Sequence, residues 1–109
     1  MSSLFAQYKK EYSNTDIIET EQGFATFILK PPLVYLEDIF IVPAYRNTNL
    51  ATHFADSVCA VAKEAGCNVL LGSVELKSNS PDRSIQVLLA YGMKYVSTEG
   101  SMLYFKKDI

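Results

Sequence analysis

One passage, residues 33–76, constrains this chain more than any other. Leu33 to Val42 is an apolar run broken only by Glu37 and Asp38, and Pro43 ends it. A near-continuous run of this kind predicts a central strand covered on both faces. After a short polar loop, Leu50, Phe54, Val58, Val61, Ala62 and Ala65 trace one face of a helix that Gly66 closes. Asn68 to Leu76 then reads as a second buried strand. Strand, helix and strand in this order predict two parallel neighbours joined by a right-handed crossover.

The flanks add antiparallel pieces. Thr15–Thr20 and Phe24–Lys30 are rich in β-branched and aromatic residues, and Glu21-Gln22-Gly23 between them offers a turn with a glycine free to take positive φ. Pro31-Pro32 belongs to a connection, because proline donates nothing to a ladder. Ser80-Pro81-Asp82 is a helix start with serine as cap; Ile85, Leu88 and Leu89 supply the buried stripe, and Gly92 stops it. Met93–Ser97 and Met102–Lys106 make a closing pair of strands, the last of them free to pair with a second copy at its edge. Leu4, Phe5, Tyr8 and Tyr12 recur at helical spacing, so a short helix opens the chain before Ser13-Asn14 breaks it. The fold class is α/β (α+β): one domain over residues 1–109, with a mixed sheet.

Composition narrows the partners. The formal net charge of −2 supplies no general attraction to nucleic acid or to acidic membranes, so any anion site must be local. No apolar stretch has membrane-spanning length, and the first ten residues lack the basic start and apolar core of a signal peptide, which points to the cytoplasm. Cys59 and Cys67 fit no metal or redox spacing and read as structural thiols in a reducing compartment. No metal site is expected.

The chemistry concentrates in Tyr35-Leu-Glu-Asp-Ile-Phe-Ile-Val-Pro-Ala-Tyr-Arg46-Asn-Thr-Asn49-Leu-Ala51. A strand feeds a polar loop that opens directly into a helix, whose first-turn amides are unpaired and carry partial positive charge. Such an end cradles phosphate. Arg46 adds a fixed charge, and no acid intervenes between Asp38 and Asp56 to repel an anion. An ordinary strand-to-helix turn with a surface arginine is the alternative reading of the same residues.

This passage resembles the GNAT superfamily of acetyl-coenzyme A-dependent N-acetyltransferases. There the strand ends in a Val-x-Pro-like step, followed by Arg/Gln-x-x-Gly-x-Gly/Ala opening the central helix. Residues 35–46 are especially similar to spermidine/spermine-type acetyltransferases, which carry a similar Tyr-Leu-Glu-Asp run. Gly66-Cys67-Asn68, Asn79 and Gly92-Met93 agree with the family's later pattern, so the resemblance covers roughly residues 15–107. It implies a central helix after the family's fourth strand, a second helix after its fifth, and a first strand and two helices largely missing.

The resemblance implies that acetyl-coenzyme A lies between two splayed central strands, Leu33–Val42 and Asn68–Leu76. Backbone groups of Phe40, Ile41 and Val42 would bond its pantetheine arm. The amides of Arg46, Asn47, Thr48, Asn49, Leu50 and Ala51 would cradle the pyrophosphate, with Asn79 as a further contact. Glu37 is the expected general base, directly or through a water, because an amine must lose a proton to attack the thioester. Asp38, expected on the opposite sheet face, is the second choice.

Three departures stand out. Asn49 replaces the first loop glycine, asparagine tolerating a left-handed backbone better than most residues. Leu88 stands where many members place a tyrosine acid, leaving Tyr91, three residues later, as the candidate acid. The short N-terminus leaves the acceptor side undetermined: an open pocket for a protein lysine or N-terminus, a pocket completed by a partner in a homodimer, or none. The resulting expectation is acetyl transfer to an unidentified amine; the alternative is a degenerate relative that binds acyl-coenzyme A or works through protein contacts. His53, Lys77 and Arg83 read as solvated surface residues, and Tyr104 and Phe105 as strand packing.

Overall fold

The computed structural model describes residues 3–109; Met1 and Ser2, which open the segment read above for a signal peptide, lie outside the described residues. Helix α1 (Leu4–Ser13) is capped by the Ser3 hydroxyl and ended by Asn14 in the left-handed conformation. Strands β1 (Asp16–Thr20), β2 (Gly23–Lys30) and β3 (Leu33–Ile41) follow, then a 3-10 turn (Pro43–Tyr45), helix α2 (Leu50–Glu64), β4 (Val69–Glu75), helix α3 (Pro81–Ala90), β5 (Lys94–Glu99) and β6 (Met102–Asp108). They build one six-stranded sheet in the order β1-β2-β3-β4-β6-β5. Only β3 and β4 run parallel, as the crossover through α2 requires.

Helix α2 buries Phe54, Ala55, Val58, Cys59 and Ala62 against one sheet face. There they meet Ala25, Phe27, Val34, Leu36, Leu70, Val74 and Phe105. The helical stripe read from sequence is rotated slightly, since Val61 and Ala65 are exposed. In α3, Leu89 is exposed too, and only Ile85 and Leu88 pack toward the core. Ser80 occupies the cap position of α3, but its side chain makes no capping bond. Helix α1 lies on the other face, where Phe5 meets Phe24 edge-on at 6.2 Å and Phe24 stacks on Phe40 at 5.6 Å.

Three expectations need correction. Strand β3 is central but alternates in burial rather than being covered throughout, because α1 shields only part of its face. Strand β6 is hydrogen-bonded on both sides, to β4 and to β5, so the free edges belong to β1 and β5. Gly23 does not use positive φ. A Cβ there would stand 2.1 Å from the Phe40 carbonyl oxygen, so glycine is needed for close approach. No helix among the described residues is long and apolar enough to cross a membrane.

Candidate active site

The site begins where the sheet opens. β3 and β4 pair only at Leu33↔Val69, Val34↔Leu70 and Tyr35↔Leu71, after which the strands part. Beyond that point the edge of β3 from Leu36 to Ile41 faces a gap, and its backbone groups on that side have no partner strand.

At the apex of the gap β3 carries a bulge. Phe27 faces Leu36 and Thr26 faces Asp38, so Glu37 is an extra residue in the ladder. The register places Asp38 on the same face as Tyr35, Phe24 and helix α1. The Glu37 carboxylate also reaches that side, 3.6 Å from the Lys9 ammonium of α1. Glu37 and Asp38 therefore share a face, against the alternation expected from sequence. The bulge spends one residue without crossing the sheet.

The Asp38 carboxyl is raised above its ordinary value, first by burial and then by the charge of Glu37, with Lys9 opposing. A raised carboxyl binds its proton more tightly in the folded chain than in the unfolded one. Its contribution is therefore most favourable at acidic pH and is lost as pH rises through the carboxylate range. Asp38→Asn should accordingly melt above the wild type near neutral pH, with the difference shrinking on acidification; thermal melts across that range check this. Beside it, the Thr26 hydroxyl is buried and makes no hydrogen bond among the described residues.

The far end of the gap is the loop into α2. Arg46 is held by two contacts: its Nε donates to the Ile41 carbonyl at 2.9 Å and its guanidinium covers the Phe40 ring at 5.6 Å. The left-handed residue is Asn47 (φ 64°), while Asn49 sits at φ −87°, so the glycine-like task falls two residues earlier than expected. Asn49 caps nothing with its side chain, and no acid stands in the first turn of α2. The Leu50 amide is taken by the Thr48 hydroxyl at 3.3 Å, and the Arg46 amide by the Pro43 carbonyl at 3.3 Å. The amides of Asn47, Thr48, Asn49 and Ala51 carry no such bond among the described residues. The Val42 amide is likewise engaged, donating to the Gln22 carbonyl at 2.9 Å, and the Ile41 carbonyl already accepts from Arg46, which moves the open backbone of β3 inward along the strand. Asn79 lies exposed in the loop after β4, beyond the same end of the gap.

Tyr91 is placed elsewhere. Its hydroxyl donates to Asp56 of α2 at 2.6 Å and lies 3.7 Å from the Cys59 sulfur, while the Lys107 ammonium sits 4.1 Å over its ring. Burial, the Asp56 bond and Cys59 hold its proton well above the ordinary phenol range. A phenol so held ties α2 to the end of α3. Leu88 packs beside Gly72 of β4.

Several contributors were not legible in sequence. Lys9 sits on a helix whose docking no local pattern reveals. Ser73 had a faint signal, a hydroxyl within an apolar strand, and its Oγ shares a hydrogen bond with Tyr35 Oη across the gap. On the α1 face the registers Ser73↔Tyr104↔Ser97 and Glu75↔Met102↔Glu99 extend the floor beyond the apex. A hollow of about 370 Å³ lies there, lined by Tyr35, Leu71, Val96, Ser97, Glu99 and Tyr104 among others. Hydrogen bonds from Ser101 and the Lys77 amide hold the Glu75 carboxyl below its ordinary value.

A mixed sheet whose parallel central strands part beside an uncapped helix start defines the GNAT fold. Solved structures share it. The PaiA N-acetyltransferase of Thermoplasma acidophilum in complex with coenzyme A superimposes with a TM-score of 0.77 at 17% identity, over 97% of this chain and 69% of that one. A Bacillus subtilis acetyltransferase in complex with CoA gives 0.71 at 12% identity, over 94% and 83%. The chain belongs to the acetyltransferase (GNAT) family, whose model matches residues 5–86. An aminoglycoside N(6′)-acetyltransferase type 1 of Acinetobacter genomosp. 13 is 34% identical over 79 residues, and one of Acinetobacter baumannii 31% over 78. Each match takes in 72% of this chain and 49% of the relative, so the chain spans about half the length of the curated relatives it matches.

Proposed function

We propose that residues 1–109 act as one acetyltransferase domain that binds acetyl-coenzyme A between β3 and β4 and passes its acetyl group to an amine. The observation that carries this reading is the parting of β3 from β4 after Tyr35↔Leu71. The open edge offers unpaired amides and carbonyls to a pantetheine arm. The α2 start beyond it, with Arg46, suits the pyrophosphate. From Val42 back to Glu37 the strand covers about 16 Å, the scale of an extended pantetheine arm. A pyrophosphate at the loop thus brings the thioester to the apex, beside the acids of the bulge.

In this reading Glu37 takes the proton of the attacking amine, directly or through a water, and Lys9 positions its carboxylate. Transfer then depends mainly on holding amine and thioester together. The α1 face carries Glu37, Asp38, Glu75 and Glu99, an acidic floor that suits a polycationic amine. The matched relatives are named for aminoglycosides, so an aminoglycoside is the acceptor class we favour. The two free buried thiols support a reducing, cytoplasmic setting. A homodimer would pair through β1 or β5, which size-exclusion chromatography with light scattering would detect.

Calorimetric titration with acetyl-coenzyme A, alongside Arg46→Glu, tests the cradle. Micromolar binding is expected, weakened about 10-fold or more in the variant, because reversing one exposed charge beside a pyrophosphate costs roughly 1–2 kcal/mol after solvent screening. Absence of binding by the wild-type chain would overturn the reading.

A further inference from the structure

Resting on that reading, we propose that the hydrogen-bonded hydroxyl pair Tyr35–Ser73 supplies the proton to the thiolate that departs on acetyl transfer. The pair stands where the reaction must end. Tyr35↔Leu71 is the last backbone pairing of β3 with β4, and Ser73 is the next residue of β4 on the same face. The two hydroxyls bridge the strands at the point where the ladder gives out. A thioester carried down the gap from the α2 loop arrives beside them, one step along β3 from the bulge.

Three other hydroxyl and thiol groups near this part of the fold are committed or displaced, and the unpartnered Thr26 hydroxyl belongs to β2, on the side of β3 away from the gap. Tyr91 donates to Asp56 on the α2 face. Cys67 donates to the Leu33 carbonyl. Tyr104 lies one strand further from the gap, opposite Ser73. On the α2 side Gly72 is covered by Met93 and Leu88, which carry no exchangeable proton. The hollow lined by Tyr35, Leu71, Ser97 and Tyr104 opens Tyr35 to solvent, so a proton given up can be replaced.

The step balances without a further reagent. The amine lone pair attacks the acetyl carbonyl carbon, forming the C–N bond, and the C–S bond breaks with its electron pair left on sulfur. The Tyr35 hydroxyl proton passes to that sulfur, giving neutral coenzyme A thiol. The amine's own proton goes to Glu37 or a water beside it. Water in the hollow returns a proton to Tyr35, and Ser73 stays hydrogen-bonded to it throughout.

Tyr35→Phe and Ser73→Ala, assayed with acetyl-coenzyme A and kanamycin, test this. Tyr35→Phe should lower kcat about 10-fold or more, toward the low end for general acid catalysis because a thiolate leaves readily. The dissociation constant of acetyl-coenzyme A and the KM for kanamycin should stay unchanged, and the solvent isotope effect on kcat should change. Ser73→Ala should give a smaller loss of kcat with the same pattern. Unchanged kcat in Tyr35→Phe overturns the proposal. So does a loss of kcat matched by loss of acetyl-coenzyme A affinity or of melting temperature, which marks a structural bridge only. The wild-type arm separates the two readings: a chain that binds acetyl-coenzyme A but acetylates neither kanamycin, spermidine nor a lysine peptide overturns the transferase reading, and the proton donor with it. A wild type that transfers while Tyr35→Phe transfers equally well overturns the proton donor alone.

Discussion

Glu37→Gln is expected to lower kcat about 100-fold while leaving acetyl-coenzyme A affinity unchanged, the typical contribution of a positioned general base. The substitution keeps the length and volume of the side chain in the bulge and removes only the group that accepts a proton. Its structural cost is small, because the Lys9–Glu37 pair is partly exposed at 3.6 Å and such pairs contribute about 1 kcal/mol or less. Steady-state kinetics paired with calorimetry read both quantities. Because the bulge puts Asp38 on the same face, Asp38→Asn is the matched control. Should that variant lose turnover while Glu37→Gln keeps it, the two acids exchange roles.

Gly23→Ala is expected to cost about 3 kcal/mol of stability, at the upper end for overpacking, and so to lower the melting temperature by roughly 12–20 °C. The added Cβ would stand 2.1 Å from the Phe40 carbonyl oxygen and 3.1 Å from the Ile41 Cα, and backbone cannot step aside as a flexible side chain would. The same strand end receives the Val42 amide on the Gln22 carbonyl and holds Arg46 through Ile41 and Phe40. Acetyl-coenzyme A affinity should therefore fall together with stability, although Gly23 touches no ligand. Thermal melts and titration of the same preparation check the coupling.

Much of this architecture was legible because it is written in local periods. Leu33–Val42, the α2 stripe and Asn68–Leu76 carry strand and helix spacings that admit one parallel crossover, and the structure has it. The loop from Pro43 to Leu50 announced itself through a strand-ending proline, an arginine and an acid-free helix start. Details within these elements were less legible. Val61 and Leu89 are apolar and correctly spaced yet exposed, since a helix's tilt against its neighbours decides which edge of a stripe is covered. Asn47 rather than Asn49 takes the left-handed conformation, a choice made by how the loop must turn after Arg46 is tied to Ile41.

The sequence by itself determined the element order, the parallel pair at the centre, the cationic loop and the presence of two acids in the central strand. These follow from local periodicity and residue chemistry, which act over a few neighbours along the chain. Tertiary structure alone decided that Glu37 is a bulge residue sharing a face with Asp38, that Lys9 from the first helix meets it, and that Tyr91 is bound to Asp56. It also decided that Tyr35 and Ser73 close the apex of the gap. Each of these depends on ladder register or on contact between elements far apart in sequence. A single unpaired residue in the β2–β3 ladder reverses which side every later residue of β3 faces, and no local pattern records that insertion.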